Sequence, residues 1–154
     1  MDKIIRNVIE KDVDILVKMY LDEVENHQQR AQQFAKDLIY RFKTIICISD
    51  KNILGTITWD TRGGLDDGVI ELVGLGTNSD FQRQGVAKEL VLSLEDEARK
   101  YFSKAGYKLR VIYLFMERSN NVGALFYNHM VFRNVSEIPS FYPNDDAVMW
   151  IKHF

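Results

Sequence analysis

The sequence predicts a single mixed α/β domain, residues 1–154, with one central sheet of about six to seven strands flanked by helices. Three observations predict it. The length of 154 residues suits one domain. Short strand-like apolar runs alternate with longer segments in which apolar residues recur every three or four positions, as on one face of a helix. No repeat, low-complexity stretch or linker divides the chain, so we expect the elements to share one core.

The first half of the chain predicts a strand, two helices and a hairpin. The helices are indicated by apolar residues at helical spacing, and the second has a glutamine-rich polar side. A tight turn at Asp50-Lys51-Asn52 separates the two strands of the hairpin. The predicted elements are Lys3–Val8, Lys11–Glu25, Gln28–Phe42, Thr44–Ser49 and Ile53–Trp59.

The second half opens with a glycine-rich segment, Thr61–Gly68, which predicts an exposed loop. The apolar stripe of the long helix that follows ends just before Gly106, where a left-handed C-cap is expected. The run Leu109–Met116 is continuously apolar, which predicts a strand buried in the middle of the sheet. The other predicted elements are the strand Val69–Thr77, the helices Gln84–Lys104 and Val122–Met130, and the strands Phe132–Glu137 and Ala147–Lys152.

Charge and composition exclude several classes of protein. The net charge of −2 provides no general basic footprint for nucleic acid. One cysteine, Cys47, excludes a disulfide framework and a multi-cysteine zinc site, and its apolar surroundings predict a buried side chain. The three histidines are far apart, so no metal is expected. The N-terminus lacks a long apolar segment and the longest apolar run is far short of the ~20 residues of a membrane span, so we expect a soluble, cytoplasmic protein.

The segment between the strand Val69–Thr77 and the long helix suits a phosphate. A helix N-terminus presents N–H groups without partners and a partial positive charge. Gly85 and Ala87 are small, so the backbone can approach an anion closely, and Arg83 and Lys88 add positive charge. The glycines of this region do not complete a Rossmann pattern, and no Walker loop is present.

The pattern Gln82-x-x-Gly85-x-Ala87 resembles the acetyl-coenzyme A signature Gln/Arg-x-x-Gly-x-Gly/Ala of the GNAT acyltransferases. The resemblance runs from about Lys3 to Phe154. It implies the GNAT fold, acetyl-coenzyme A as cosubstrate, and transfer of acetyl to an amine. The final strands of this family often pair between subunits, so a homodimer is compatible with the resemblance.

A second segment resembles the family motif Asn-x-x-Ala-x-x-x-Tyr-x-x-x-Gly-Phe. Asn120, Tyr127 and Phe132 fall at matching spacings. Gly123 stands where alanine is usual and Val131 where glycine is usual, and we expect the second departure to alter the turn into the next strand. The two motifs occur in the family's order with a predicted strand between them.

Acetyl transfer to an amine needs a route for the amine proton, an oxyanion donor and a proton donor for the departing thiolate. Tyr127 is the candidate acid, since a phenol suits a thiol leaving group; the alternative is a core aromatic. Glu71 is the candidate base, and the alternative is an ion-paired or solvent-facing glutamate. Its competitors are water and Glu117, which lies near the end of the strand Leu109–Met116. Members that acetylate protein N-termini commonly place a glutamate in that strand, but the matching position here is Phe115.

The resemblance also assigns residues to the coenzyme. The backbone of Leu75–Thr77 is expected to bind the pantetheine arm and polarise the acetyl carbonyl, and the next turn to hold the pyrophosphate. Asn120 should contact the pantetheine or order its loop. The implied coenzyme-binding residues are Leu75, Gly76, Thr77, Gln82, Arg83, Gln84, Gly85, Val86, Ala87, Lys88 and Asn120.

The acceptor is the least defined part of the prediction. The segment Ser140–Met149 is similar to the Tyr-Tyr-Pro…Asp-Ala…Met ending of N-terminal protein acetyltransferases, including those of ribosomal proteins. It makes Phe141 and Tyr142 candidate substrate-binding residues, and a plain hairpin is the alternative. We expect a small amine or amino-acid-like acceptor. A protein N-terminus, and a non-catalytic module that binds coenzyme A as a sensor, remain as alternatives.

Overall fold

The computed structural model describes residues 2–79 and 85–154. Its helices are α1 (Val13–Glu23), α2 (Gln28–Lys36), α3 (Val86–Lys104) and α4 (Asn121–His129). Its strands are β1 (Ile4–Asn7), β2 (Lys43–Ser49), β3 (Asn52–Arg62), β4 (Val69–Thr77), β5 (Val111–Glu117), β6 (Arg133–Tyr142) and β7 (Asp145–His153). They form one mixed sheet in the order β1-β2-β3-β4-β5-β7-β6. The predicted fold class and order of elements are therefore confirmed.

The chain divides into two compact units. The first comprises Met1–Asp60 and Gly74–Glu97, and the second comprises Thr61–Val73 and Ala98–Phe154. Strand β4 and helix α3 each begin in one unit and end in the other.

In the first unit, β2 pairs antiparallel with both β1 and β3. The predicted tight turn joins β2 to β3, with Asp50 in the left-handed conformation (φ 55°). Helices α1 and α2 bury one face each around Leu16, Ala31 and Ala35, as their periodicity predicts. Cys47 lies on β2 and is buried, as expected.

The second predicted helix changes character before its end. After α2 the chain makes a π-helical turn, Asp37–Arg41, in which the Phe42 N–H donates to the Asp37 carbonyl. The Thr44 hydroxyl donates to the Leu38 carbonyl over 2.8 Å. This side-chain bond satisfies a carbonyl at the helix end, a contact that periodicity does not encode.

In the second unit, β4 pairs parallel with β5 over Val69–Glu71. β5 lies in the middle of the sheet, as predicted, but only one of its faces is fully buried. Ile112, Leu114 and Met116 are buried, whereas the residues between them are only half-buried. An apolar run does not distinguish a strand covered on both faces from one whose second face carries partly accessible rings.

The hairpin β6–β7 is longer than predicted because the proline-containing segment continues the strand. Ile138 is opposite Ala147 and Tyr142 is opposite Asp145, so four positions along β6 match two along β7. The extra length bulges at Ser140, which is in the left-handed region at φ 52°. β6 is an edge strand, which is where a proline inside a strand is tolerated.

Helices α3 and α4 end in the same hydrogen-bond pattern. At α3 the Tyr107 N–H donates to the Phe102 carbonyl and the Gly106 N–H to the Ser103 carbonyl. Gly106 has φ 83°, which confirms the predicted C-cap. This arrangement is a Schellman motif, which requires a left-handed residue after the helix.

At α4 the Phe132 N–H donates to the Tyr127 carbonyl and the Val131 N–H to the Asn128 carbonyl. Here the left-handed position is occupied by valine, with φ 70°. The expected change of turn geometry at Val131 is not found, because the chain keeps the turn and places a β-branched residue in a strained conformation.

Candidate active site

The second half of β4 presents exposed backbone in the first unit. Gly74 and Gly76 are exposed, and a Cβ added to either would meet no atom within 4 Å. Leu75 and Thr77 are half-buried. The described pairing of β4 with β5 covers Val69–Glu71, so beyond Glu71 the backbone groups on that side have no β5 partner among the described residues. Such a strand end can receive an extended, amide-bearing ligand.

Helix α3 begins after Gly85, whose φ of 77° is the left-handed conformation that glycine adopts without strain. Val86 is buried, Ala87 is half-buried and Lys88 is exposed. The first turn therefore offers N–H groups without helical partners, next to a lysine. The remaining predicted residues of this turn, Gln82, Arg83 and Gln84, lie outside the described residues.

Because Gly55 on β3 has no side chain, the end of β4 and the start of α3 pack closely against it. The sequence analysis did not predict this residue as part of the site. A Cβ on Gly55 would lie 2.8 Å from the Gly76 carbonyl oxygen and 3.0 Å from the side chains of Val86 and Leu90. A glycine inside a predicted strand was the available signal, since it often marks a close backbone approach.

A second missed contact lies just after β4. The Ser79 N–H and hydroxyl both donate to the Glu23 carboxylate at the end of α1, over 3.4 and 3.2 Å. The adjacent Asn78 N–H donates to the Leu54 carbonyl over 2.8 Å. The start of the β4–α3 loop is thus bonded to both β3 and α1 of the same unit.

In the second unit, Glu71 is held by two donors. Arg62 Nη2 and the Tyr113 hydroxyl donate to Glu71 Oε1 over 3.0 and 3.1 Å. The side chain of Glu71 is 20% exposed. The ion-paired arrangement considered for Glu71 is therefore present, with Oε2 bonded to no described residue. Tyr113 could not be found without the register, which sets it directly opposite Glu71.

Burial and the neighbouring Glu71 carboxylate raise the pKa of the Tyr113 phenol. Tyr113 therefore stays protonated across the physiological range and remains a hydrogen-bond donor to Glu71.

Tyr127 lies on α4 and is 8% exposed. Its ring makes edge contacts with Phe126 and Phe132, at centroid distances of 5.2 and 5.5 Å. Burial raises the pKa of Tyr127 to about 12, above the ordinary phenol value of about 10. The residue thus has the packing of a core aromatic, and its hydroxyl bonds to no other described residue.

Asn120 caps helix α4. Its Oδ1 accepts a hydrogen bond from the Gly123 N–H over 2.9 Å, so the side chain orders the loop that precedes the helix. A Cβ on Gly123 would lie 2.7 Å from Asn120 Nδ2 and 3.0 Å from Met116 Sδ. Glycine, where the motif usually has alanine, therefore leaves room for the cap.

The two predicted substrate residues are joined to β5 by stacked rings. Phe141 stacks on Phe115 with centroids 5.4 Å apart and an interplanar angle of 27°. Phe115 makes an edge contact with Tyr113 at 5.8 Å, and Tyr142 makes one with Phe141 at 5.0 Å. We call these four residues, Tyr113, Phe115, Phe141 and Tyr142, the ring row.

Acidic groups lie at both ends of the ring row. Glu71 bonds to Tyr113 at one end, while Glu117 is exposed at the end of β5. Burial and the carboxylates of Glu117 and Asp145 raise the pKa of the Tyr142 phenol.

No group of three or more His, Cys, Asp or Glu side chains within 2–79 and 85–154 is placed to hold a metal ion. Over the same residues, no helix is both long and apolar enough to cross a membrane.

The chain thus combines a mixed α/β sheet, an exposed strand end with two glycines and the start of a long helix. Residues 13–130 match the acetyltransferase (GNAT) family. This match spans more than half of the chain, so the chain belongs to the GNAT acetyltransferase family and is an enzyme of that family. No curated protein matches it.

Solved structures show the same fold at low sequence identity. The ribosomal-protein-S18-alanine N-acetyltransferase from Escherichia coli is 16% identical with a TM-score of 0.77, over 99% of this chain and 94% of that chain. An N-acetyltransferase from Staphylococcus aureus Mu50 is 17% identical with a TM-score of 0.73, over 99% of both chains. Arabidopsis thaliana NAA60, solved in complex with acetyl-CoA, is 18% identical with a TM-score of 0.71, also over 99% of both chains.

Proposed function

We propose that this protein transfers the acetyl group of acetyl-coenzyme A to a primary amine, by direct attack in a ternary complex. The observation that carries the proposal is strand β4. Its second half is exposed backbone with two glycines, and its first half carries Glu71, whose Oε2 is bonded to no described residue. A coenzyme-binding backbone and a proton acceptor on one strand are the parts that acetyl transfer to an amine needs.

The coenzyme would be held by backbone. Leu75, Gly76 and Thr77 supply N–H and C=O groups for the amides of the pantetheine arm, and one of their N–H groups can polarise the acetyl carbonyl. The first turn of α3, from Gly85 to Lys88, supplies N–H groups and a positive charge for the pyrophosphate. NAA60 of the same fold binds acetyl-CoA, which supports this ligand.

Glu71 acts as the base in this proposal. The amine reaches the site protonated, and Oε2 accepts a proton from it, directly or through one water. Arg62 and Tyr113 hold Oε1, so the carboxylate is fixed in one orientation. The neutral nitrogen then forms the C–N bond, and the tetrahedral intermediate collapses as the C–S bond breaks.

Tyr127 donates to the departing sulfur. Because its pKa is raised to about 12, the phenol is fully protonated at neutral pH and is available as a hydrogen-bond donor to the thiolate. The sulfur leaves with the electron pair of the C–S bond and takes the Tyr127 proton to end as the thiol. The nitrogen loses its second proton as the amide forms, and this proton restores the Tyr127 phenol through solvent. The first proton returns to solvent from Glu71.

The proposed acceptor is a small amine or amino-acid-like molecule. A protein N-terminus is the second candidate, favoured by the adjacent rings of Phe141 and Tyr142 on the β6–β7 hairpin, where the ending resembles that of N-terminal acetyltransferases.

The test is a thiol-release assay with acetyl-coenzyme A and a panel of amines and short peptides. We expect release that accelerates when an acceptor is added. Binding of acetyl-coenzyme A without acceptor-dependent release would instead identify a sensor module.

The Tyr127→Phe variant tests the acid. We expect turnover to fall about 10- to 1,000-fold while the coenzyme Kd changes less than about twofold, since the ring and its packing remain. Tyr107→Phe, at an exposed tyrosine after α3, is the matched control and should keep full turnover. Near wild-type turnover in Tyr127→Phe would remove Tyr127 from the mechanism.

A further inference from the structure

The aromatic side chains of the ring row are partly exposed, although two of them lie on β5, a strand in the interior of the sheet. Tyr113 and Phe115 belong to β5, which has neighbours on both sides in the sheet. Their alternate neighbours on the strand are buried, yet these two rings are only half-buried. Phe141, which stacks on Phe115, is 51% exposed. Stacking of large rings around a partly exposed centre provides apolar surface for a flat ligand.

The hairpin is shaped to bring Phe141 to this position. The register places two extra residues of β6 between Ile138 and Tyr142, and Ser140 in the left-handed region turns the chain there. The Ser140 N–H donates to Asp146 Oδ1 over 2.8 Å, which holds the bulge. A bulge changes the direction in which a side chain of an edge strand points. Here it places the ring of Phe141 on β6 against the ring of Phe115 on β5.

Charge surrounds this apolar surface on two sides. Glu71 is bonded to the Tyr113 hydroxyl at one end, and Glu117 follows Phe115 by two positions on the same face of β5. The carboxylate of Asp145 lies close enough to Tyr142 to raise the pKa of its phenol, together with Glu117 and burial. Aromatic faces flanked by carboxylates attract a cation through both the ring quadrupole and direct charge.

We infer that the ring row is the acceptor-binding surface, and that it selects primary amines with an aromatic body, an arylalkylamine being the simplest example. The aromatic body packs against the accessible surface of the stacked Phe115–Phe141 pair, and the amine points toward the Glu71 carboxylate. The inference rests on the proposed N-acetyltransferase function and narrows its acceptor class. A peptide N-terminus and a polyamine are the competing acceptors.

The first measurement compares acceptors by kcat/KM in the thiol-release assay. Phenethylamine and tryptamine represent the proposed class, n-butylamine removes the ring, spermidine adds charges, and a short peptide with a free N-terminus represents the protein substrate. We expect the two arylalkylamines to exceed the other three by at least about tenfold.

The second measurement uses Phe141→Leu, which keeps an apolar side chain but removes the ring. A ring contact contributes a factor of about two to ten, so we expect KM for phenethylamine to rise by that factor, with kcat and the acetyl-coenzyme A Kd unchanged. The KM for n-butylamine should not change, because that acceptor has no ring to stack. Tyr107→Leu, at an exposed tyrosine outside the ring row, is the control and should leave every acceptor unaffected.

The outcomes separate the two proposals. Faster acetylation of spermidine or of the peptide overturns the arylalkylamine inference and leaves the N-acetyltransferase function standing. An equal effect of Phe141→Leu on phenethylamine and n-butylamine overturns it too, since the ring would then have no specific role. Failure to bind acetyl-coenzyme A, measured by calorimetry, refutes the proposed function itself.

Discussion

Val131 stands in a conformation that valine rarely adopts, and replacing it with glycine should stabilise the protein. It is the left-handed residue of the Schellman motif that ends α4, with φ 70°. The same motif ends α3 with Gly106 in that position. One chain thus contains both versions of the same turn, which makes the effect of the side chain measurable.

The expected magnitude follows from three contributions. A left-handed conformation costs an L-residue about 1–2 kcal/mol, and a β-branched residue belongs at the upper end. Glycine returns about 0.5–1 kcal/mol of this through its greater freedom in the unfolded chain. Val131 is 70% exposed, so removing its side chain loses only about 0.5 kcal/mol of apolar burial. The net gain for Val131→Gly is about 0.5 kcal/mol, or about 1–2 °C in Tm.

The assay is thermal and urea unfolding of three variants in one buffer. Val131→Gly should raise the midpoint. Gly106→Val should lower the free energy of unfolding by about 1–2 kcal/mol, because it creates at α3 the strain that α4 already carries. Val122→Gly, at an exposed valine inside α4, should destabilise by a few tenths of a kcal/mol to about 1 kcal/mol. A loss of stability in Val131→Gly, with the other two behaving as expected, would refute the strain argument.

Two further predictions concern the helix start and the response to acid. Gly85→Ala strains a residue at φ 77° and should weaken acetyl-coenzyme A binding several-fold by calorimetry, whereas Gly106→Ala, with similar strain at the other end of α3, should leave that affinity unchanged. Asp12 accepts bonds from Arg6 over 2.8 and 2.9 Å and from the Ile9 N–H, which lower its pKa. Its contribution to stability is present above the ordinary pKa near 3.9 and is lost as the pH falls through the lowered value. The free energy of unfolding of Asp12→Asn should therefore be lower than that of wild type at pH 7 and approach it near pH 2. The control Asp66→Asn, at an exposed loop position, should match wild type at both pH values. An equally large difference between Asp12→Asn and wild type at pH 2 would contradict the ion-pair argument.

Local patterns were sufficient for much of the fold. The bounds of Val69–Thr77 were predicted to the residue, because a strand between a glycine-rich loop and a helix signature is punctuated at both ends. The end of α3 followed from Gly106, since glycine adopts the left-handed cap conformation without strain. The extent of β6 was underestimated, because Pro139 and the residues after it indicate a loop, whereas the pairing of Ile138 with Ala147 and of Tyr142 with Asp145 continues the strand.

Some features of the candidate site likewise follow from local sequence, whereas others depend on contacts between strands. The sequence by itself determined the order of elements, the glycine-bearing strand, the helix start and the resemblance carried by Gly85, Ala87 and Tyr127. These depend on residues that are close together in the chain, where spacing and backbone preference act directly.

Only the tertiary structure decided what surrounds Glu71 and how the rings are arranged. The Glu71 carboxylate on β4 accepts a hydrogen bond from Tyr113 on β5, 42 positions later in the chain. Phe115 on β5 stacks on Phe141, which belongs to β6. Such contacts depend on the register between strands and on a bulge at Ser140, and neither is encoded in the spacing of residues along one segment.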